Sequence, residues 1–185
     1  MSTKRNLNQS AIIAAATVIT ERGGLDTLTV NALAAELGIK PPSLYNHFKG
    51  ADELKRLLAE SVLSRIGDAV KTAAVGRSDE IALREVAAAY RRFAGEKPEL
   101  YRVFLSAPAL SADALGAVGD TLIQVLAALD ETDRLHFTRF FHAALHGFMS
   151  LENTGFFQSA EPSANESFAA MVDMLINNYK ILRGN

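Results

Sequence analysis

Apolar residues recur along nearly the whole chain at intervals of three and four, the spacing of helices that each bury one face. The first such stretch predicts a helix from residue 7 or 8 to 22, with Ile12, Ala15, Ala16 and Ile19 inward. Gly23-Gly24 ends it, and Leu25 and Leu28 are placed to fold back on its core. A short helix over 30–37 follows, with Val30, Leu33, Ala34 and Leu37 on one side. Thr29 can cap it through its hydroxyl, and Gly38 supplies the positive φ of a sharp exit. Ile39 then fills the gap to a second short helix, which opens on Lys40-Pro41-Pro42, where missing N–H groups cost little. Leu44 and Phe48 stand four apart and give that helix an apolar face, leaving Ser43, Tyr45, Asn46, His47 and Lys49 largely on the other side.

A long fourth helix is expected over 51–73, with Asp52 and Glu53 in its first turn, where carboxylates favour the helix dipole. Its stripe is Leu54, Leu57, Leu58, Val62, Leu63 and Ile66. Beyond a turn at 75–78, a helix over 79–94 packs through Ile81, Val86, Ala87, Tyr90 and Phe93, and Pro98 opens a short one. After a loop with Pro108, residues 111–129 read as one apolar helix carrying Leu115, Val118, Leu122, Val125, Leu126 and Leu129, broken at 130–133. The last two helices, over 134–154 and 165–182, carry more large apolar side chains than a helix with one wet face needs. Ala143, Ala144 and Gly147 would let a second backbone approach. Two such helices from each of two chains make a four-helix interface; the alternative is packing within one chain. The whole is all-α, about nine helices: a three-helix unit over 1–50, then a helical domain over 51–185 that includes the connecting fourth helix.

Composition sharpens this picture in few places. The chain has 185 residues, 49% of them apolar, and no Cys, so neither disulfide nor thiolate chemistry is available. Lys4 and Arg5 are followed by polar residues rather than an apolar run, so no signal peptide is visible, and no apolar run approaches a membrane span. The cytoplasm is the expected compartment. Net charge is −2, but residues 1–60 hold 7 Lys/Arg against 6 Asp/Glu (+1) and residues 61–185 hold 12 against 15 (−3). Any contact with a polyanion such as a nucleic acid then rests on a local patch rather than a global field. Lys4 and Arg5 sit on a loose arm that either touches such a partner or simply solubilises.

Two short helices joined by a tight turn are a helix-turn-helix, whose second helix enters the major groove. The stretch Thr29-Val30, Leu33-Ala34, Gly38-Ile39, Pro41, Leu44-Tyr45, His47-Phe48 and Leu54 resembles the DNA-binding end of the TetR family of regulators, in unbroken register. The resemblance implies phosphate contacts from Tyr45 and His47. Lys49 adds charge, and Lys40, Pro42, Ser43 and Asn46 complete the candidate DNA-binding set, with Pro42, Ser43 and Asn46 nearest the base edges. Family members commonly place a Lys three residues after the motif's Phe; here Ala51 stands there, and Lys49 can replace its charge from another angle. Near the other end, His146-Gly147-Phe148 is similar to the WHG-type C-terminal domain of one branch, with Leu145 at the Trp position.

The rest of the candidate chemistry is sparse. His142 and His146 are four apart on one helix, a spacing that can chelate a metal, with Glu152 and Asp173 as further ligands should they converge. Histidines satisfied beside a ligand cavity are the alternative. No catalytic carboxylate pair, phosphate loop or activated nucleophile is recognisable, so neither an enzyme nor a cofactor is expected. The reading is a sequence-specific regulator that binds double-stranded DNA at a palindromic operator as a homodimer, a repressor released by a small apolar effector. The effector's expected lining is Tyr90, Phe93, Tyr101, Phe104, Leu122, Phe141, His142 and Phe148, with Leu126 and His146 as alternates; the other reading of these aromatics is that they fill the core. The rival readings of the whole chain are a helical ligand-binding or scaffold protein without DNA function, and a metal-responsive regulator.

Overall fold

The computed structural model describes residues 7–107, 110–158 and 161–184, and among these every regular element is helical. In chain order they are α1 (Gln9–Gly23), α2 (Val30–Leu37), α3 (Ala51–Ala74), α4 (Asp79–Glu96), α5 (Pro98–Ser106), α6 (Ala112–Val125), α7 (Glu131–Asn153) and α8 (Ala164–Arg183), with 3₁₀ turns at Leu25–Thr27 and Pro41–Asn46. Lys4, Arg5 and Pro108 lie outside the described residues. The chain forms two compact units: the described residues of Met1–Leu63 and Lys97–Ala112, and those of Ser64–Glu96 and Asp113–Asn185. The chain therefore passes from one unit to the other three times, once in the middle of α3.

In the first unit α1 packs on α2 and on α5, and α2 on the Pro41–Asn46 turn. Asn8 caps α1 by accepting from the Ala11 N–H at 2.9 Å, and Thr29 caps α2 by accepting from the Ala32 N–H at 3.1 Å. The exit of α2 is a Schellman turn: the Ile39 N–H donates to the Ala34 carbonyl at 3.0 Å and the Gly38 N–H to the Ala35 carbonyl at 3.1 Å. It needs Gly38 in the left-handed region, at φ 68° and ψ 33°. A Cβ at this position would meet nothing within 4 Å, so replacing Gly38 by Ala tests the backbone alone. We expect a loss of about 1 kcal/mol in urea unfolding, the cost of an L-residue held in that region.

The segment after that turn differs from the expected α-helix. It closes as a six-residue 3₁₀ turn, with the Ser43 N–H on the Lys40 carbonyl at 3.0 Å and the His47 N–H on the Leu44 carbonyl at 2.9 Å. Pro41 and Pro42 bring no N–H, and too few donors follow before His47 for an α-helical ladder to establish itself. The apolar anchoring survives the change, since Leu44 and Phe48 both join the core of Ile12, Leu33, Leu54 and Leu58. Val103 of α5 belongs to the same core.

In the second unit α7 packs against α4 and α8, and α4 against α8. Four ties run antiparallel along α4 and α8: Asp79 to Arg183, Glu80 to Lys180 at 2.9 Å, Arg84 to Asp173 at 2.5 Å and Arg91 to Asn165 at 2.8 Å. Exposed pairs of this kind contribute little individually and serve mainly to fix register. Four expected packing residues of α4 and α6 fall outside the core: Ile81 and Leu115 are exposed and Phe93 and Val125 only half-buried, because the buried stripe of α4 runs through Ala82, Leu83, Val86, Ala87 and Tyr90 and that of α6 through Val118 and Leu122. Helix α6 stops at Val125, and a turn tucks Leu126 and Leu129 inward. Asp130 then starts α7 earlier than expected, its carboxylate accepting from the Thr132 and Asp133 N–H groups. Ser163 and Glu166 form a capping box at the start of α8.

Candidate nucleic-acid interface

The candidate DNA-reading face is built from the short turn outward. Leu44 is 0% exposed and Phe48 3%, so the segment is pinned at two points four residues apart. Between and around them Pro42, Ser43, Tyr45, Asn46, Lys40 and Lys49 are exposed, and His47 is half-buried. Tyr45 is 56% exposed, with its ring 6.5 Å from that of Phe48 at a tilt of 50°. The buried Phe thus supports an exposed ring. All seven candidate DNA-binding residues lie on this one segment and its immediate flanks.

The entry into α3 is fixed locally. Glu53 accepts from the Lys49 backbone N–H at 2.6 Å and lies 3.7 Å from Arg56, which binds Glu60 at 2.7 Å. Burial pushes the Glu60 carboxyl up, but Arg56 and Ser111 outweigh it and hold the net value below the usual carboxylate range. Ala51 is exposed and brings no charge to the start of the helix. The α1–α2 pair is clamped by Arg22 and Glu36 at 3.4 Å, and α5 is tied to α1 by Lys97 and Glu21 at 2.8 Å. Neither link is visible in local spacing, because each joins residues far apart in sequence.

The expected effector residues divide. Tyr90, Phe141, His142 and His146 come together in the second unit. The Tyr90 ring lies 5.8 Å from His142 and 5.5 Å from His146, edge-on to both, and His142 stacks near-parallel to His146 at 6.1 Å. Phe141 stands 6.5 Å from His142. Burial drives both imidazoles toward the neutral form, His146 down to about 4 with help from its neighbour His142. Leu122 and Leu126 are buried, and Phe93 lies under the Arg65 guanidinium at 5.8 Å. Tyr101 and Phe104 sit on α5 in the first unit, with their rings 6.0 Å apart. Phe148 belongs to a separate cluster, 4.8 Å from Phe157 and 5.3 Å from Phe168.

That cluster surrounds Arg91, which spacing did not single out. Its guanidinium holds Glu152 through two bonds of 3.0 and 2.5 Å and lies 4.6 Å over the Phe168 ring. The metal reading loses its further ligands here: Glu152 is engaged by Arg91 and Asp173 by Arg84, and no group of three metal-ligating side chains occurs among the described residues.

Comparison with known proteins agrees with this geometry. Residues 12–56 match the model of bacterial regulatory proteins of the tetR family, and residues 83–175 match a tetracyclin repressor-like C-terminal domain. An HTH-type transcriptional regulator of Mycobacterium tuberculosis is 33% identical over 165 residues, 85% of this chain and 76% of that protein. The regulator YobS of Bacillus subtilis is 28% identical over 191 residues, 98% of this chain and 100% of that protein. The crystal structure of a TetR variant from Acinetobacter baumannii in complex with minocycline shares the fold at a TM-score of 0.78 and 22% identity, covering 96% of this chain and 99% of that one. With a helix-turn-helix whose outer face is polar and whose anchors are buried, and with both parts of the chain matched, this protein belongs to the TetR family of DNA-binding transcriptional regulators.

Proposed function

We propose that the protein is a repressor that binds a palindromic operator in cytoplasmic DNA as a homodimer and releases it when a small, substantially apolar effector occupies the second unit. The observation that carries the reading is the polar outer face of the Pro41–Asn46 turn, held over buried Leu44 and Phe48. DNA reading is assigned to residues 1–50, and effector binding with dimerisation to 51–185. Tyr45 and His47 position the protein on phosphates, Lys49 and Lys40 add charge, and Pro42, Ser43 and Asn46 meet base edges. Among the described residues no helix is long and apolar enough to cross a membrane. The His146-Gly147 pair, with Leu145 at the Trp position, is the feature that supports placing the chain in the WHG-type branch.

Exposed apolar stripes on α7 and α8 support the dimer. On α7, Phe140 is 56% exposed and lines up at helical spacing with Ala143, Gly147 and Leu151, while Phe137, Phe141, Leu145 and Met149 face inward. On α8, Met174 and Ile181 are each 71% exposed and stand two turns apart on one face. A ligand acts by favouring one arrangement of the paired DNA-reading units, which requires unequal affinity for the two. Helix α3 runs through both units, and α5 follows α4 after Lys97 yet packs on α1, so one continuous helix and one short junction are the chain's routes from effector to DNA.

Sedimentation at micromolar concentration should give twice 20.0 kDa. Sites selected from random duplexes should be palindromes with half-site centres about 34–36 Å apart. An effector that weakens operator binding tenfold must itself bind about tenfold more weakly to the operator complex, about 1.4 kcal/mol of coupling. A monomer that selects no palindrome would overturn the assignment.

A further inference from the structure

Among the rings of Tyr90, Phe141, His142 and His146, the Nε2 of His142 is enclosed without a partner among the described residues, as are the Thr138 Oγ1 and the Tyr179 hydroxyl elsewhere in the second unit. The imidazole of His142 is hydrogen-bonded by the Thr138 backbone four residues earlier on α7. Its Nε2 is fully enclosed and has no partner among the described residues, which leaves Nδ1 as the atom that donates to Thr138. A neutral imidazole with Nδ1–H engaged presents Nε2 as an acceptor lone pair. Burial lowers the tendency of this ring to charge, so the acceptor persists at neutral pH. The rings packed against this imidazole, centroid to centroid, are Tyr90 edge-on at 5.8 Å, Phe141 at 6.5 Å and His146 at 6.1 Å.

We infer that the effector is a neutral, largely apolar molecule that presents one hydroxyl or N–H donor to Nε2 of His142. This rests on the reading of the second unit as effector-binding and adds the polar chemistry of the ligand. A buried acceptor without a donor is costly, and a bound donor removes that cost, which favours the occupied form. A carboxylate offers only acceptors and would face the lone pair of Nε2 unpaired. A hydrocarbon without a donor would bury the lone pair without relief. Specificity of this kind is large: a site built around a hydrogen bond rejects the analogue that lacks the group far more strongly than it rejects a missing methylene.

Matched probes test it on the full-length homodimer labelled with ¹⁵N-histidine. The probes are 4-propylphenol and indole, each beside its methylated counterpart, 4-propylanisole and 1-methylindole, which keep the shape and lose the donor. The expected result is that a donor probe moves the His142 Nε2 resonance and binds at least about tenfold more tightly than its methylated partner. His142→Phe should remove that difference; if this variant does not fold, the wild-type resonance shift and the paired affinities decide. Equal affinities within each pair, or no probe that moves the resonance, overturn the inference. Methylated probes that bind as well as the donors and also release DNA leave the effector reading standing while the donor assignment falls. Donor probes that move His142 without altering operator affinity support the donor assignment and contradict the regulatory one.

Discussion

Phe48→Ala removes DNA binding by unfolding the first unit rather than by deleting a contact. The ring is 3% exposed and packs in the cluster of Ile12, Leu33, Leu44, Leu54 and Leu58. Truncating a buried Phe to Ala costs about 3–5 kcal/mol, the lost transfer energy plus the cavity. Domain stabilities are roughly 5–15 kcal/mol, so a unit of this size is left marginal or unfolded. The loss should be worse than the cavity alone implies, because Phe48 is one of only two anchors of the 3₁₀ turn and also supports the ring of Tyr45. Urea unfolding followed by a probe in the first unit checks it. Tyr45→Phe is the control: it leaves the exposed ring in place and should shift the midpoint little. A loss below about 1 kcal/mol for Phe48→Ala would show that the turn is held by something other than this core.

The second large effect is on stability against acid. His146 is held down to about 4 in the folded protein, first by burial and then by His142, against an ordinary value of 6.5. Below the ordinary value the unfolded chain takes up a proton that the folded chain refuses, so stability falls as pH drops. The slope is about 1.4 kcal/mol per pH unit between 6.5 and about 4, on the order of 3 kcal/mol in all, and it levels off below the folded value. Above pH 6.5 both states are neutral and His146 makes no pH-dependent contribution. His142, lowered by burial in the same way, acts in the same direction. The measurement is urea unfolding of wild type and His146→Gln at several pH values. The difference in slope is the readout, which sets aside any fixed cost of the substitution. Equal slopes across that range would show that this imidazole charges freely in the folded state.

Much of the fold is legible in the sequence where the cause is local. The Thr29 cap, the Gly38 exit and the Leu44–Phe48 anchoring follow from spacing and backbone chemistry, and the structure has each of them. The 3₁₀ character of the recognition turn is harder to read, because i,i+4 apolar spacing does not distinguish a short α-helix from a 3₁₀ turn whose second anchor lies just past its end. On α4 and α6, Ile81 and Leu115 look like core by type alone; phase relative to the buried stripe decides, and phase depends on where the neighbouring helices lie. The aromatic set divides for the same reason. Tyr90 and His142 meet across α4 and α7, while Tyr101 and Phe104 follow α5 to the other unit and Phe148 faces Arg91. The Arg91–Glu152 and Arg91–Asn165 links span 61 and 74 residues, distances over which no periodicity carries information.

On the proposed reading, the exposed face of the Pro41–Asn46 turn meets DNA with phosphate contacts and base contacts held by different residues. Competition binding of a selected palindrome and a scrambled duplex, for wild type, Tyr45→Phe and Ser43→Ala, tests it most directly. Tyr45→Phe loses one hydrogen bond to a charged phosphate, about 1.5 kcal/mol, and should weaken both duplexes alike by roughly tenfold. Ser43→Ala should leave the scrambled duplex almost unchanged and cut the preference for the palindrome, by about 1 kcal/mol or more. Uniform weakening by Ser43→Ala with a change of sequence preference in Tyr45→Phe, or no effect of either, would rule out this division of contacts.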